Sequence, residues 1–159
     1  RSLLQDSPDG VLIITGAIDA ALLCQHIRKN NRSVRMYICG WAGSPDFINN
    51  GGKAVEGVLF AQNIDYSNTR PDYMTFVKKY RNLYGMQPNH GSVFSYEMTN
   101  ILLMALKDGS RTSDEIRHSI LTHDIYHGLQ YDFSIDKNGD GDRPYFFTVV
   151  KNGSFVRVP

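Results

Sequence analysis

The chain has 159 residues, 42% hydrophobic and 21% charged, with a formal net charge of +1. That is enough chain for one domain with a sizeable core, and the composition fits a globular protein. The charge balance excludes an electrostatic footprint for nucleic acid or for a strongly acidic partner, and no apolar run approaches a membrane span. The chain opens on Arg1 with neither Met nor an apolar run and cleavage site, so it reads as a mature product or a fragment.

Val11–Thr15 is a β-branched apolar run after the turn signal Ser7-Pro-Asp-Gly10 and predicts a buried strand. Ala17, Ala20, Ala21, Cys24 and Ile27 recur at helical spacing, and residues 29–32 close that helix. A second strand runs over Val34–Cys39. Gly40-Trp-Ala-Gly43 is a turn, and Ser44-Pro45 opens a short helix that ends near residues 49–52. The third strand is Val58–Gln62. Strand, helix, strand, helix, strand implies a parallel sheet with right-handed crossovers, and ligands bind beyond the carboxyl ends of such strands. Attention therefore falls on Thr15–Ile18, Gly40–Ser44 and Asn63–Tyr66.

From Pro71 the pattern turns helical. Tyr73, Phe76, Val77, Tyr80 and Tyr84 form a stripe that reads as a core face rather than a binding platform, stopped by Gly85 and Pro88. A second helix over 93–107 is apolar nearly all round and is expected to be buried. Thr112-Ser-Asp-Glu115 is a capping box opening a third helix to about Leu121. The tail is β: Tyr131, Phe133 and Ile135 alternate with polar residues, and Asn152-Gly153 is a hairpin signal between 145–151 and 154–158.

Few residues suggest chemistry. Cys24 and Cys39, 15 positions apart, have no CxxC or zinc spacing and read as buried thiols, with a disulfide as the alternative. Residues 136–142 begin like a calcium loop, but the twelfth position is Phe147 where a Glu is required, so a solvated turn is expected. His123 and His127, with His118 nearby, lack the Glu and the third ligand of a metal site. No nucleophile elbow or phosphate loop occurs. Trp41, the only tryptophan, either packs in the core or lines a pocket.

In order along the chain, Asp9-Gly-Val-Leu-Ile-Ile-Thr-Gly16, Tyr37-Ile-Cys-Gly-Trp41 and Val55-Glu-Gly-Val58 resemble the second lobe of type I periplasmic solute-binding proteins. These are the receptors of branched-chain amino acid ABC transporters. Phe76–Pro88 is similar to that family's "F…Y…YG…P" helix, and Ser95-Tyr-Glu-Met98 stands where it often has "YDA". Gly128–Asp140 and Val150–Val156 resemble its closing segments. The resemblance covers almost the whole chain, as the C-terminal portion of the family.

It implies an α/β fold: a parallel βαβαβ sheet of one lobe, helices of the other lobe and a C-terminal hairpin. Residues 1–62 would belong to the second lobe, 63–66 to a hinge crossing, 67–127 to helices of the first lobe, and 128–159 to a return crossing and hairpin. It implies a periplasmic or extracellular solute-binding receptor of an ABC-type uptake system, lipid-anchored in some forms, with two lobes closing on a small solute and with neither cofactor, metal nor catalytic residues. The partners implied are the solute, a membrane permease, and a missing N-terminal lobe or a second copy of the chain to cover the apolar helix stripes; nucleic acid is not among them. The ligand contacts implied are Thr15, Gly16, Ala17, Trp41, Ala42, Asp65, Phe94 and Tyr96. Ala42 stands where the family usually offers an acid to the ligand ammonium, which points away from an α-amino acid and toward a flatter solute. The alternatives are the sensing domain of a membrane signalling receptor and, in another class, an α/β-fold enzyme.

Overall fold

Strand β1 (Gly10–Ile13) buries Val11 and Ile13 and leaves Leu12 open. The computed structural model describes residues 4, 5 and 7–158, so most of the opening stretch read as lacking a leader lies outside the described residues. After β1 come helix α1 (Ala17–Asn30), strand β2 (Arg35–Cys39), a 3-10 turn over Gly40–Ala42, helix α2 (Pro45–Gly51) and strand β3 (Leu59–Gln62). β1 pairs with β2 and β2 with β3, all parallel, as the alternating pattern requires. The chain divides into two compact units, residues 1–67 with 145–159, and residues 68–144.

In the first unit α1 turns Ala20, Ala21, Cys24 and Ile27 to the core, an i, i+1, i+4, i+7 pattern that keeps them on one face. Asp19 sits in its first turn and Arg28 and Lys29 in its last, matching the helix dipole. Phe47 of α2 meets Phe60 edge-on at 5.0 Å, and Phe60 meets Phe155 likewise at 5.2 Å. Strands β7 (Phe146–Lys151) and β8 (Ser154–Arg157) form the expected hairpin. β7 pairs antiparallel with β3, so the sheet runs β1-β2-β3-β7-β8. Asn152 and Gly153 both take positive φ, 52° and 67°, as a two-residue turn between right-twisted strands demands. The Glu56 carboxylate accepts from both their amides, at 3.0 and 2.8 Å.

The second unit holds α3 (Pro71–Tyr84), α4 (His90–Lys107) and α5 (Ser113–Thr122), with a small sheet of β4 (Tyr126–His127), β5 (Asp132–Ile135) and β6 (Gly141–Asp142). The capping box is present at α5: Thr112 accepts from the Glu115 amide and Glu115 from the Thr112 amide. α4 starts at His90 because Asn89 caps it, accepting from the Ser92 amide at 3.0 Å.

Two expectations are corrected here. α4 is not buried all round: Val93, Glu97, Ile101 and Ala105 are covered, while Tyr96, Met98, Leu102 and Leu103 are exposed. Helix α5 and strands of two to four residues cover one stripe of an 18-residue helix and no more. The α3 stripe is only partly covered: Tyr73 is buried, Phe76, Val77 and Tyr80 are half-buried, and Tyr84 is exposed. Residues 136–140 form the turn between β5 and β6, where the Asp136 carboxylate accepts from the amides of Asn138 and Asp140 at 2.8 and 2.9 Å. His123 follows α5 and His127 lies on β4, so the two imidazoles share no helix face.

Candidate functional site

The three parallel strands of the first unit end on three short connections. After β1, Thr15 is half-buried and Gly16 sits at the start of α1 with φ −71° and ψ 167°. No side chain caps the opening amides of that helix, and nothing lies within 4 Å of where a Gly16 Cβ would stand. The first helical bond runs from the Ala20 amide to the Gly16 carbonyl at 2.9 Å, so the amides before it have no partner within the helix. Ala17 packs partly against the core.

The second connection lies beside the first. The Cys39 thiol contacts the Thr15 carbonyl at 3.6 Å, and the 3-10 turn that follows packs against α1. Trp41 on this turn is 72% exposed, which rules out core packing for the indole. Its neighbour Ala42 has no exposed surface, and its methyl belongs to the core. On the third connection Asp65 is 8% exposed and engaged locally. It accepts from the amide and hydroxyl of Ser67 at 2.9 and 2.5 Å, and lies 3.4 Å from Arg157, whose guanidinium covers the Phe146 ring. The structure thus brings Thr15, Gly16, Ala17 and Trp41 to one edge of the sheet. Ala42 stands under that edge, and Asp65 braces its own loop.

Phe94 and Tyr96 belong to the second unit. Tyr96 packs on Phe76 at 4.9 Å and joins Tyr80, Tyr84 and Ile101 in lining an open groove of about 1000 Å³. Phe94 is half-buried beneath Arg143, whose guanidinium lies 4.9 Å from its ring and 3.5 Å from that of Phe133. Arg143 pairs with buried Glu97 at 2.7 Å, and Glu97 also accepts from the Leu129 amide at 2.6 Å. Sequence reasoning passed over this pair. Its one signal was that Glu97 is the only acid of α4.

Both cysteines are free thiols. Among the described residues no three His, Cys, Asp or Glu side chains gather as a metal site would need, and no helix is long and apolar enough to cross a membrane.

The profile of the family described as "Periplasmic binding protein" matches residues 1–154, and the chain belongs to that family. Among solved structures, the leucine-binding protein LivK of Thermotoga maritima is 28% identical with a TM-score of 0.85, over 96% of this chain and 44% of that one. Two more distant structures share the fold. The branched-chain amino acid substrate-binding protein LivJ of Streptococcus pneumoniae, in complex with isoleucine, is 14% identical with a TM-score of 0.82, over 97% of this chain and 47% of that one. A solute-binding protein of Rhodopseudomonas palustris, in complex with benzoate, is 15% identical with a TM-score of 0.79, over 95% and 42%. The chain spans a little under half the length of each of these structures. No curated protein sequence matches it. The family and these neighbours are described as binding proteins, and the α/β fold with its parallel sheet is theirs.

Proposed function

We propose that the chain carries one wall of the solute site of an extracytoplasmic receptor serving an ABC-type uptake system, formed by residues 15–17 and Trp41. The observation behind this reading is an uncapped, unobstructed helix start at Gly16 beside an exposed indole on the adjoining turn. Free amides at a helix N-terminus favour an anionic group, and the Thr15 hydroxyl adds a donor there. The Trp41 ring offers a flat apolar surface. None of residues 15–17 and 41 carries a carboxylate, so an ammonium held against them would go unpaired, at a cost. The solute class proposed is therefore a small organic acid with a flat apolar body rather than an α-amino acid. The role is capture and release, with no bond made or broken, and the partner is a membrane permease. We take the first unit as part of the second lobe of the receptor and the second unit as helices of the first lobe.

Thermal denaturation of the complete gene product with aromatic acids, amides and amino acids tests the reading. An aromatic acid such as benzoate is expected to raise Tm with concentration, since a ligand of the native state stabilises it by mass action. Trp41→Ala is expected to remove that shift. A panel that moves nothing, or a shift that survives in Trp41→Ala, overturns the proposal.

A further inference from the structure

Gln62, the last residue of β3, is 4% exposed and shares the covered face of the sheet with Phe60 and Thr148. The Thr148 hydroxyl donates to its Oε1 at 3.1 Å. Its Nε2 has no acceptor among the described residues and lies against Gly43, where a Cβ would come within 1.8 Å of it. A Cβ on Gly40 would meet the Ala61 carbonyl at 2.9 Å. Gly43 has φ −73°, so what it provides is room and not an unusual backbone. The turn closes with the Gly43 amide donating to the Gly40 carbonyl at 3.0 Å. From above, the Tyr66 hydroxyl donates to the Gly43 carbonyl at 2.8 Å, and the Tyr66 ring stacks on Phe155.

We infer that Gln62 is a positioning residue for Trp41: its amide, fixed by Thr148, is the floor on which Gly43 seats the turn that presents the indole. The consequence for binding rests on the proposed function, because a ring carried on a fixed turn leaves less backbone freedom to lose when a flat solute stacks on it. The pinning itself does not depend on that reading.

Trp41 is the sole tryptophan, so time-resolved fluorescence anisotropy of the chain reports this turn alone. Gly43→Ala pushes the turn off Gln62, and the amplitude of the fast, nanosecond depolarisation is expected to rise about twofold with far-UV circular dichroism unchanged. Adding Gln62→Ala to Gly43→Ala makes room for the methyl and returns the amplitude to the original value. Thr148→Val frees the Gln62 amide and gives a smaller rise. Original anisotropy in a folded Gly43→Ala chain overturns the inference, as does a double variant no better than the single. If Gly43→Ala does not fold, Thr148→Val decides: a rise supports the pinning and an unchanged amplitude overturns it. Failure of benzoate to bind would sink the proposed solute site and leave the anisotropy result standing.

Discussion

Cys24 and Cys39 are the same residue type in opposite situations. Cys24 has no exposed surface, and burial pushes its thiol up to about 11. Cys39 is half-buried at the strand end. At pH 8 a thiol reagent is expected to label Cys39 and spare Cys24 until the chain is denatured, as mass spectrometry of the peptides would report; equal native labelling would contradict this. The spacing in the sequence left a disulfide open, because pairing depends on where two elements stop in space. Glu97 and Arg143 make the sharper case. Removing one partner of a buried pair leaves the other charge uncompensated, so Glu97→Ala is expected to cost about 3–5 kcal/mol in urea denaturation. Arg143→Met should cost much less when added to Glu97→Ala than alone, and additive losses would show that the two do not act together. The pair was not legible in the sequence, since nothing local ties Glu97 to Arg143.

Among the elements, the start of α3 is tied to β5. Asp132 accepts from Arg70, the residue before α3, at 2.9 Å and contacts His127 Nδ1 at 3.1 Å. The Arg70 guanidinium first, and the His127 ring after it, hold the Asp132 carboxyl below the usual range. A carboxyl depressed in the folded state contributes stability above its unfolded value, and that contribution is lost as pH falls through the lowered folded value. Asp132→Asn is therefore expected to flatten the acid limb of the Tm curve below about pH 4; curves that run parallel there would exclude the tie. Helix α1 was legible because Ala20, Ala21, Cys24 and Ile27 recur at helical spacing, even though Ile18, Leu22 and Leu23 of the same helix lie exposed; the capping box of α5 was legible because it is local. α4 was misread because apolarity all round signals burial only when there is something to bury against. Leu102→Glu and Leu103→Glu on its open side are expected to change stability within about 0.5 kcal/mol and to lower binding of a hydrophobic dye, whereas a large loss of Tm would mean that the face is covered.

For the molecule as a whole, both helices of the first unit pack into one core on one face of the five-stranded sheet. On the other face Leu12, Tyr37, Leu59, Val149 and Val156 stand in one row across all five strands, with Leu12, Tyr37 and Val156 exposed. Sheets with parallel strands ordinarily have both faces covered. The sequence pattern carried the parallel order of β1 to β3, since each crossover is local. It did not carry the joining of the closing hairpin to β3, because pairing between distant segments leaves no periodic trace. The edge that gathers Thr15, Gly16 and Trp41 followed from topology, and the burial of Ala42 and the bracing role of Asp65 did not.

The β3–β7 ladder also sets an order in time. Gln62 and Thr148 are 86 positions apart, so on the ribosome β3 emerges well before its partner and waits while the entire second unit is made. During that interval its free edge is a template for any other strand. A chain cut after Pro144 keeps that edge permanently, and it is expected to precipitate on expression where the whole chain remains in solution.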